Sequence, residues 1–108
     1  MQNNILMTTT FEVPGREIAE ILGIARGNTI RSRHIGSDIV SSLKGIVGGE
    51  IKGYVKAMTD ARDEATSRMV KEATDMGADA IVGVRFTTSS VMAGAAEILV
   101  YGTAVRLV

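Results

Sequence analysis

The spacing of apolar positions changes twice along this chain. Tyr54, Met58, Ala61, Ala65, Met69, Ala73 and Met76 recur three and four residues apart, and Gly77 follows. That is the period of a helix with one buried face, closed by a residue that accepts left-handed geometry. The pattern predicts a long amphipathic helix from about Ile51 to Met76. At 1.5 Å per residue it spans about 39 Å, so it lies across a whole sheet or projects beyond one. After it, residues 80–91 (AIVGVRFTTSSV) and 97–108 (EILVYGTAVRLV) are rich in β-favouring residues and are separated by a turn through residues 92–96. They read as an antiparallel hairpin.

Before the helix the signals are shorter. Residues 7–13 (MTTTFEV) read as a strand stopped at Pro14-Gly15, the chemistry of a type II turn. The run EIAEILGIARGNTIRSR is interrupted at Gly23 and Gly27 and ends in a strand-like TIR. It predicts a long strand, bent or bulged at one of those glycines and paired with the first strand. The competing reading is a helix over residues 17–24. Ser37 or Asp38 then caps a short helix carrying Ile39, Val40, Leu43, Ile46 and Val47, which Gly48-Gly49 ends.

The order β-β-α-α-β-β implies an α+β fold: a two-layer subunit with an antiparallel sheet of about four strands and one long and one short helix. The 108 residues fit one domain, spanning 1–108, which buries roughly 65% of the surface of its unfolded chain. In the last strand Ile98, Val100, Gly102 and Ala104 face one way, and Leu99, Tyr101, Thr103, Val105 and Leu107 the other. Val82, Val84 and Phe86 against Ile81 and Gly83 repeat this doubled pattern. Helices on one side cover one face, and five aliphatic side chains left in water on the other forgo about 10 kcal/mol. The expectation is homo-oligomerisation through the second face or the sheet edges. The alternative is a monomer whose first hairpin folds over that face.

Composition narrows the chemistry. Twelve basic and twelve acidic residues give no net charge, and no basic stripe marks a nucleic-acid surface. Cysteine is absent, which removes disulfides, thiolate metal sites and thiol catalysis and fits a reducing cytoplasm. The opening MQNNILMTTT lacks a basic start and a long apolar run, so a soluble, cytoplasmic protein without a membrane span is expected. Two Tyr, two Phe and no Trp leave few platforms for stacking bases or flavins.

Candidate sites are sparse. The only histidine, His34, precedes Asp38 by four residues in SRHIGSDIV. Gly36 and the capping chemistry around it favour a helix entrance, and two ligands are too few for zinc unless copies meet around an axis. Asp60, Asp63 and Glu64 share a helix face where oxygen ligands could hold a hard cation, but Lys56 and Arg68 lie four residues from Asp60 and Glu64 and make ordinary helix-surface pairs. Glu72 and Asp75 sit at the negative end of the helix dipole, so at least one should find an arginine or lysine from another element or subunit. In GIVGGEIKGY, Gly48 and Gly53 have the separation of phosphate-loop glycines, but Tyr54 and Val55 stand where Lys and Ser or Thr are needed. Ser41-Ser42 and Ser89-Ser90 lack the surroundings of a nucleophile. Met58, Met69 and Met76 lie at core spacing rather than as a soft-metal set. No catalytic and no metal-ligating residue is assigned, and no cofactor is identified.

The blocks IVGGEIKGY, DARDEATSRM, EATDMGADAIVGVRF and EILVYGTAVRLV, taken together and in order, resemble the YbjQ family of small bacterial proteins, often labelled heavy-metal-binding. The likeness runs from about Thr8 to Val108. It implies a compact α+β subunit assembling into a ring, with pentamers the expected form, and it brings no established reaction, substrate or catalytic residue. Val100 stands in the strand region where some relatives carry a cysteine. The function expected is that of an uncharacterised, non-enzymatic, cytoplasmic homo-oligomer, with itself as partner, that binds a small ligand or serves as a scaffold. The alternatives are an oligomeric metal-binding protein using His34, Asp38 or the helix carboxylates, and an enzyme with its site between subunits.

Overall fold

The structure is a computed structural model that describes residues 5–32, 47–92 and 95–108, with the backbone alone for residues 32 and 47–54. It contains strands β1 (Leu6–Met7), β2 (Ile18–Ser32), β3 (Ala80–Met92) and β4 (Ala95–Leu107), and one helix among the described residues, α1 (Val47–Asp75). The sheet order is β1-β3-β4-β2. β4 pairs antiparallel with β3 and β2, whereas β1 runs parallel to β3. The fold is therefore α+β, but its sheet is mixed rather than wholly antiparallel. The short helix expected from Ser37 or Asp38 falls outside the described residues.

Helix and sheet approach each other through small residues. Ala61, Ala65, Met69 and Ala73 line the buried face of α1, as the spacing predicts, with Met58 and Met76 partly buried beside them. They meet Ala25 and Gly27 of β2 and Ile81, Val84, Ile98, Val100 and Ala104 of β3 and β4. The approach is closest at Gly27. A Cβ there would penetrate the Ala65 carbonyl oxygen and the Met69 nitrogen and sit 2.9 Å from the Arg68 Cβ. Thr29, buried two residues on, donates its hydroxyl proton to the Ala61 carbonyl at 3.2 Å, so its polar group is satisfied at the same contact. At the end of α1, Gly77 (φ 86°) places its N–H on Thr74 and that of Ala78 on Ala73, a Schellman closure.

Three expectations are corrected. The strand expected over residues 7–13 is only two residues long, and its partner is β3, not β2. The threonines that suggest a strand instead bond locally: Thr8 Oγ1 accepts from the Thr10 N–H at 3.1 Å, and the Thr10 hydroxyl donates to the Glu12 carbonyl at 2.7 Å. Gly48 and Gly49 end nothing; they are helical, within the first turn of α1. The second strand pairs with β4, although its bulge between Ile21 and Gly23 lies where expected, and residues 17–24 carry no helix. Pro14 and Gly15 do make a tight turn, with Gly15 at φ 84° and the Arg16 N–H on the Val13 carbonyl at 3.0 Å.

The segment following β1 crosses the face of the sheet opposite α1. Val13 is buried there with Ala80, Val82 and Val105, and the Phe11 ring lies against Gly83 with the Arg85 guanidinium 5.2 Å from its centre. The second face is thus covered at one end by the chain's own N-terminal segment. Replacing Gly27 by Ala is expected to cost about 3 kcal/mol or more, because the obstacles are backbone atoms of a packed helix. Gly15→Ala, with nothing within 4 Å of the new methyl, should cost only about 1 kcal/mol for its positive φ. Urea unfolding of both variants measures the contrast, and equal losses would contradict the packing account.

Candidate functional site

α1 lies over β2 and, less, over β4, leaving β3 to its side. Among the described residues, two surfaces are consequently uncovered. On the face opposite α1, beyond the reach of the N-terminal segment, the rows Arg26-Tyr101-Arg85 and Asn28-Leu99-Thr87 run across β2, β4 and β3. Ile24 is 66% exposed, Ile30 52% and Tyr101 38%. The second surface is the outer edge of β3. Thr8 and Thr10 satisfy its main chain at Ile81, Gly83 and Val84, and every residue from 85 to 92 is exposed.

The opposite edge of the sheet is treated differently. Glu72 accepts the Arg26 N–H at 2.8 Å, and Arg68 donates to the Asn28 carbonyl at 2.7 Å, so two helix side chains close the main chain of β2. Arg68 also reaches Glu64 at 2.6 Å, and Glu64 accepts from Arg31 of β2 at 2.8 Å. This arginine–glutamate–arginine chain ties the helix to the strand. The Arg31 hydrogen bond first, and then the Arg68 charge, hold the Glu64 carboxyl below its ordinary value of 4.5.

The residues singled out from the sequence distribute as follows. His34, Asp38 and Ser41-Ser42 lie outside the described residues. Asp60 pairs with Lys56 at 3.3 Å and Asp75 with Lys71 at 3.1 Å, both within α1. Among the described residues neither acid at the helix end meets an arginine or lysine side chain of another element: the partner of Glu72 is the main chain of Arg26. The phosphate-loop glycines are helical, and Ser89-Ser90 are exposed on β3. Met69 is buried in the core with Met58 and Met76 packed against it. The edge-closing role of Glu72 and Arg68 was not visible in the sequence, where nothing says which strand runs beneath the last turns of the helix.

A family model described as "Putative heavy-metal-binding", YbjQ, matches residues 5–108. The chain belongs to the YbjQ family. It is 62% identical to a UPF0145 protein of Archaeoglobus fulgidus, over 99% of both chains, and 58% identical to one of Vibrio parahaemolyticus, over 96% of this chain and 99% of that one. A UPF0145 protein of Thermotoga petrophila is 52% identical over 95% of this chain and 97% of its own. Among solved structures, a protein of unknown function from Pediococcus pentosaceus, of the DUF74 family, shares the fold with a TM-score of 0.61 at 18% identity, covering 98% of this chain and all of that one.

The metal in the YbjQ description finds no fit in the described residues. No three of their His, Asp or Glu side chains converge, and Asp60, Glu64 and Asp75 are engaged by basic side chains. Heavy metals favour thiolate and imidazole, and this YbjQ chain has no cysteine. Nor is any helix among the described residues long and apolar enough to cross a membrane.

The Glu64 bridge has a defined pH signature. A carboxyl whose folded-state pKa is lowered adds stability above its ordinary value, and that contribution disappears as the pH falls through the lowered one. Glu64→Gln should therefore be less stable than the parent near pH 7, with the gap narrowing as the pH is taken below 4.5. Urea midpoints on the two sides of that value test this; a gap unchanged by pH would contradict it.

Proposed function

We propose that this YbjQ protein is a non-enzymatic, cytoplasmic subunit of a homo-oligomeric ring, five subunits being the expected count, that binds a small ligand or acts as a scaffold. The observation that carries the reading is the sheet face opposite α1, where Ile24, Ile30 and Tyr101 stand exposed among Arg26, Asn28 and Arg85. The dimensions of the single chain support it. Its Cα radius of gyration is 17.0 Å, where a compact chain of this length has about 13 Å. Its accessible surface is 7148 Å², where a monomer of 11.4 kDa has about 5,800 Å². The excess exceeds the roughly 800 Å² that each partner buries in a standard interface. The lack of cysteine agrees with a reducing compartment.

A second reading, metal binding, rests on the family description and needs His34, Asp38 or helix carboxylates repeated around an axis. Elemental analysis after loading with zinc, copper and nickel decides it: one equivalent of tightly held metal per subunit supports it, and metal removed by buffer exchange retires it.

Native mass spectrometry of the untagged protein should give a mass that is a multiple of five 11.4 kDa subunits. A monomer at micromolar concentration would contradict the proposal.

A further inference from the structure

The two edges of this sheet are built to opposite ends. An edge strand presents unpaired N–H and C=O groups to any other chain, and folded proteins blunt such edges with charge, proline or a covering element. β2 is blunted by Glu72 and Arg68 at Arg26 and Asn28. β3 is not. From Phe86 to Ala96 the sequence FTTSSVMAGAA holds no charged residue and no proline. Residues 86–92 have a high β preference, and Phe86, Val91 and Met92 are 52%, 50% and 66% exposed.

Which groups face outward follows from the ladder. Arg26 N–H and Asn28 C=O point away from β4, so Ala25, Gly27 and Thr29 bond towards it, opposite Gly102, Val100 and Ile98. The alternate residues of β4, Tyr101, Leu99 and Glu97, then bond towards Arg85, Thr87 and Ser89 of β3. Phe86, Thr88 and Ser90 are left pointing out, continuing the direction of Val84, whose N–H bonds the Thr8 carbonyl at 3.0 Å.

We infer that residues 86–90 of β3 form an interface with the same strand of a second copy of this chain, antiparallel and related by a two-fold axis beside Thr88. The inference rests on the reading that the chain self-associates, and it names where. A second copy is the occupant for two reasons. The edge is self-complementary: with Thr88 opposite its mate, Phe86 lies opposite Ser90 and Arg85 opposite Val91, so no like charges meet. The strand at the opposite edge of the sheet, β2, has its main chain taken at Arg26 and Asn28 by its own helix. Three outward residues per strand gain main-chain bonds, and the Phe86 rings are drawn under cover. Such a contact closes on itself, so it joins copies in pairs, for example two rings face to face.

The experiment is a charge exchange at the axis, read by native mass spectrometry and sedimentation. Thr88→Lys and Thr88→Glu each place like charges against each other across the two-fold. Each variant alone should have half the mass of the parent, and an equimolar mixture should restore the full mass. Thr88→Pro, which removes an outward N–H and leaves the β4 ladder intact, should also halve the mass, with an unchanged circular dichroism spectrum. A parent with an odd number of copies, or variants that keep the full mass, would overturn this interface and leave self-association standing. Half-mass variants whose mixture stays at half mass would overturn the two-fold juxtaposition. A monomeric parent would overturn both readings.

Discussion

The close approach of α1 to Gly27 is the constraint on which the arrangement depends. With no side chain on the strand and alanines on the helix, the helix backbone settles directly onto β2, where Ala65 and Met69 occupy the space a Cβ would need. A helix seated that deeply cannot also be centred over the sheet. It covers β2 and part of β4, buries Met69, Ile98 and Val100 with Ile81 and Val84 of β3, and leaves residues 85–92 of β3 exposed. The same seating brings Arg68 and Glu72 to the β2 main chain and Glu64 to Arg31, so edge closure and the ion bridge are consequences of one contact.

From this asymmetry comes the division of the molecule into finished and unfinished sides. The finished side has its edge capped and its polar groups paired. The unfinished side has a bare, uncharged β3 edge and a sheet face that the N-terminal segment covers only as far as Val13 and Phe11. In the energetics of small domains, apolar area left in water on this scale rivals the net stability of the fold. The proposed association with further copies would offset that loss without any addition to the chain.

Much of this was legible in the sequence because it is periodic. The three-and-four spacing from Met58 to Met76 located the buried helix face, Gly77 its end, and the two C-terminal β runs their hairpin. Where local and long-range chemistry compete, the reading failed. Thr8 and Thr10 have strand preferences, yet their hydroxyls bond neighbouring backbone and turn the segment into a covering loop. Gly48-Gly49 looks like a helix stop, but the helix runs through it. Strand pairing was also beyond sequence: proximity suggested that the first two strands pair, whereas β2 joins β4 from 63 or more positions away at its closest register partners, Ser32 and Ala95. The doubled apolar pattern of β4 was readable, and so was its implication of a second covering surface. Which surface supplies the cover depends on the depth of the Gly27 contact, which no periodicity reports. The family likeness carried by the ordered blocks was legible too, and it brings no chemistry with it.

Amide hydrogen exchange resolved by residue tests the central claim most directly. Within a single subunit Thr87 and Ser89 bond to β4, whereas Phe86, Thr88 and Ser90 face outward. If other copies complete the sheet, all five amides exchange slowly, and dilution to the point of dissociation speeds only the outward three. Fast exchange at Phe86, Thr88 and Ser90 at every concentration, beside slow exchange at Thr87 and Ser89, would contradict it.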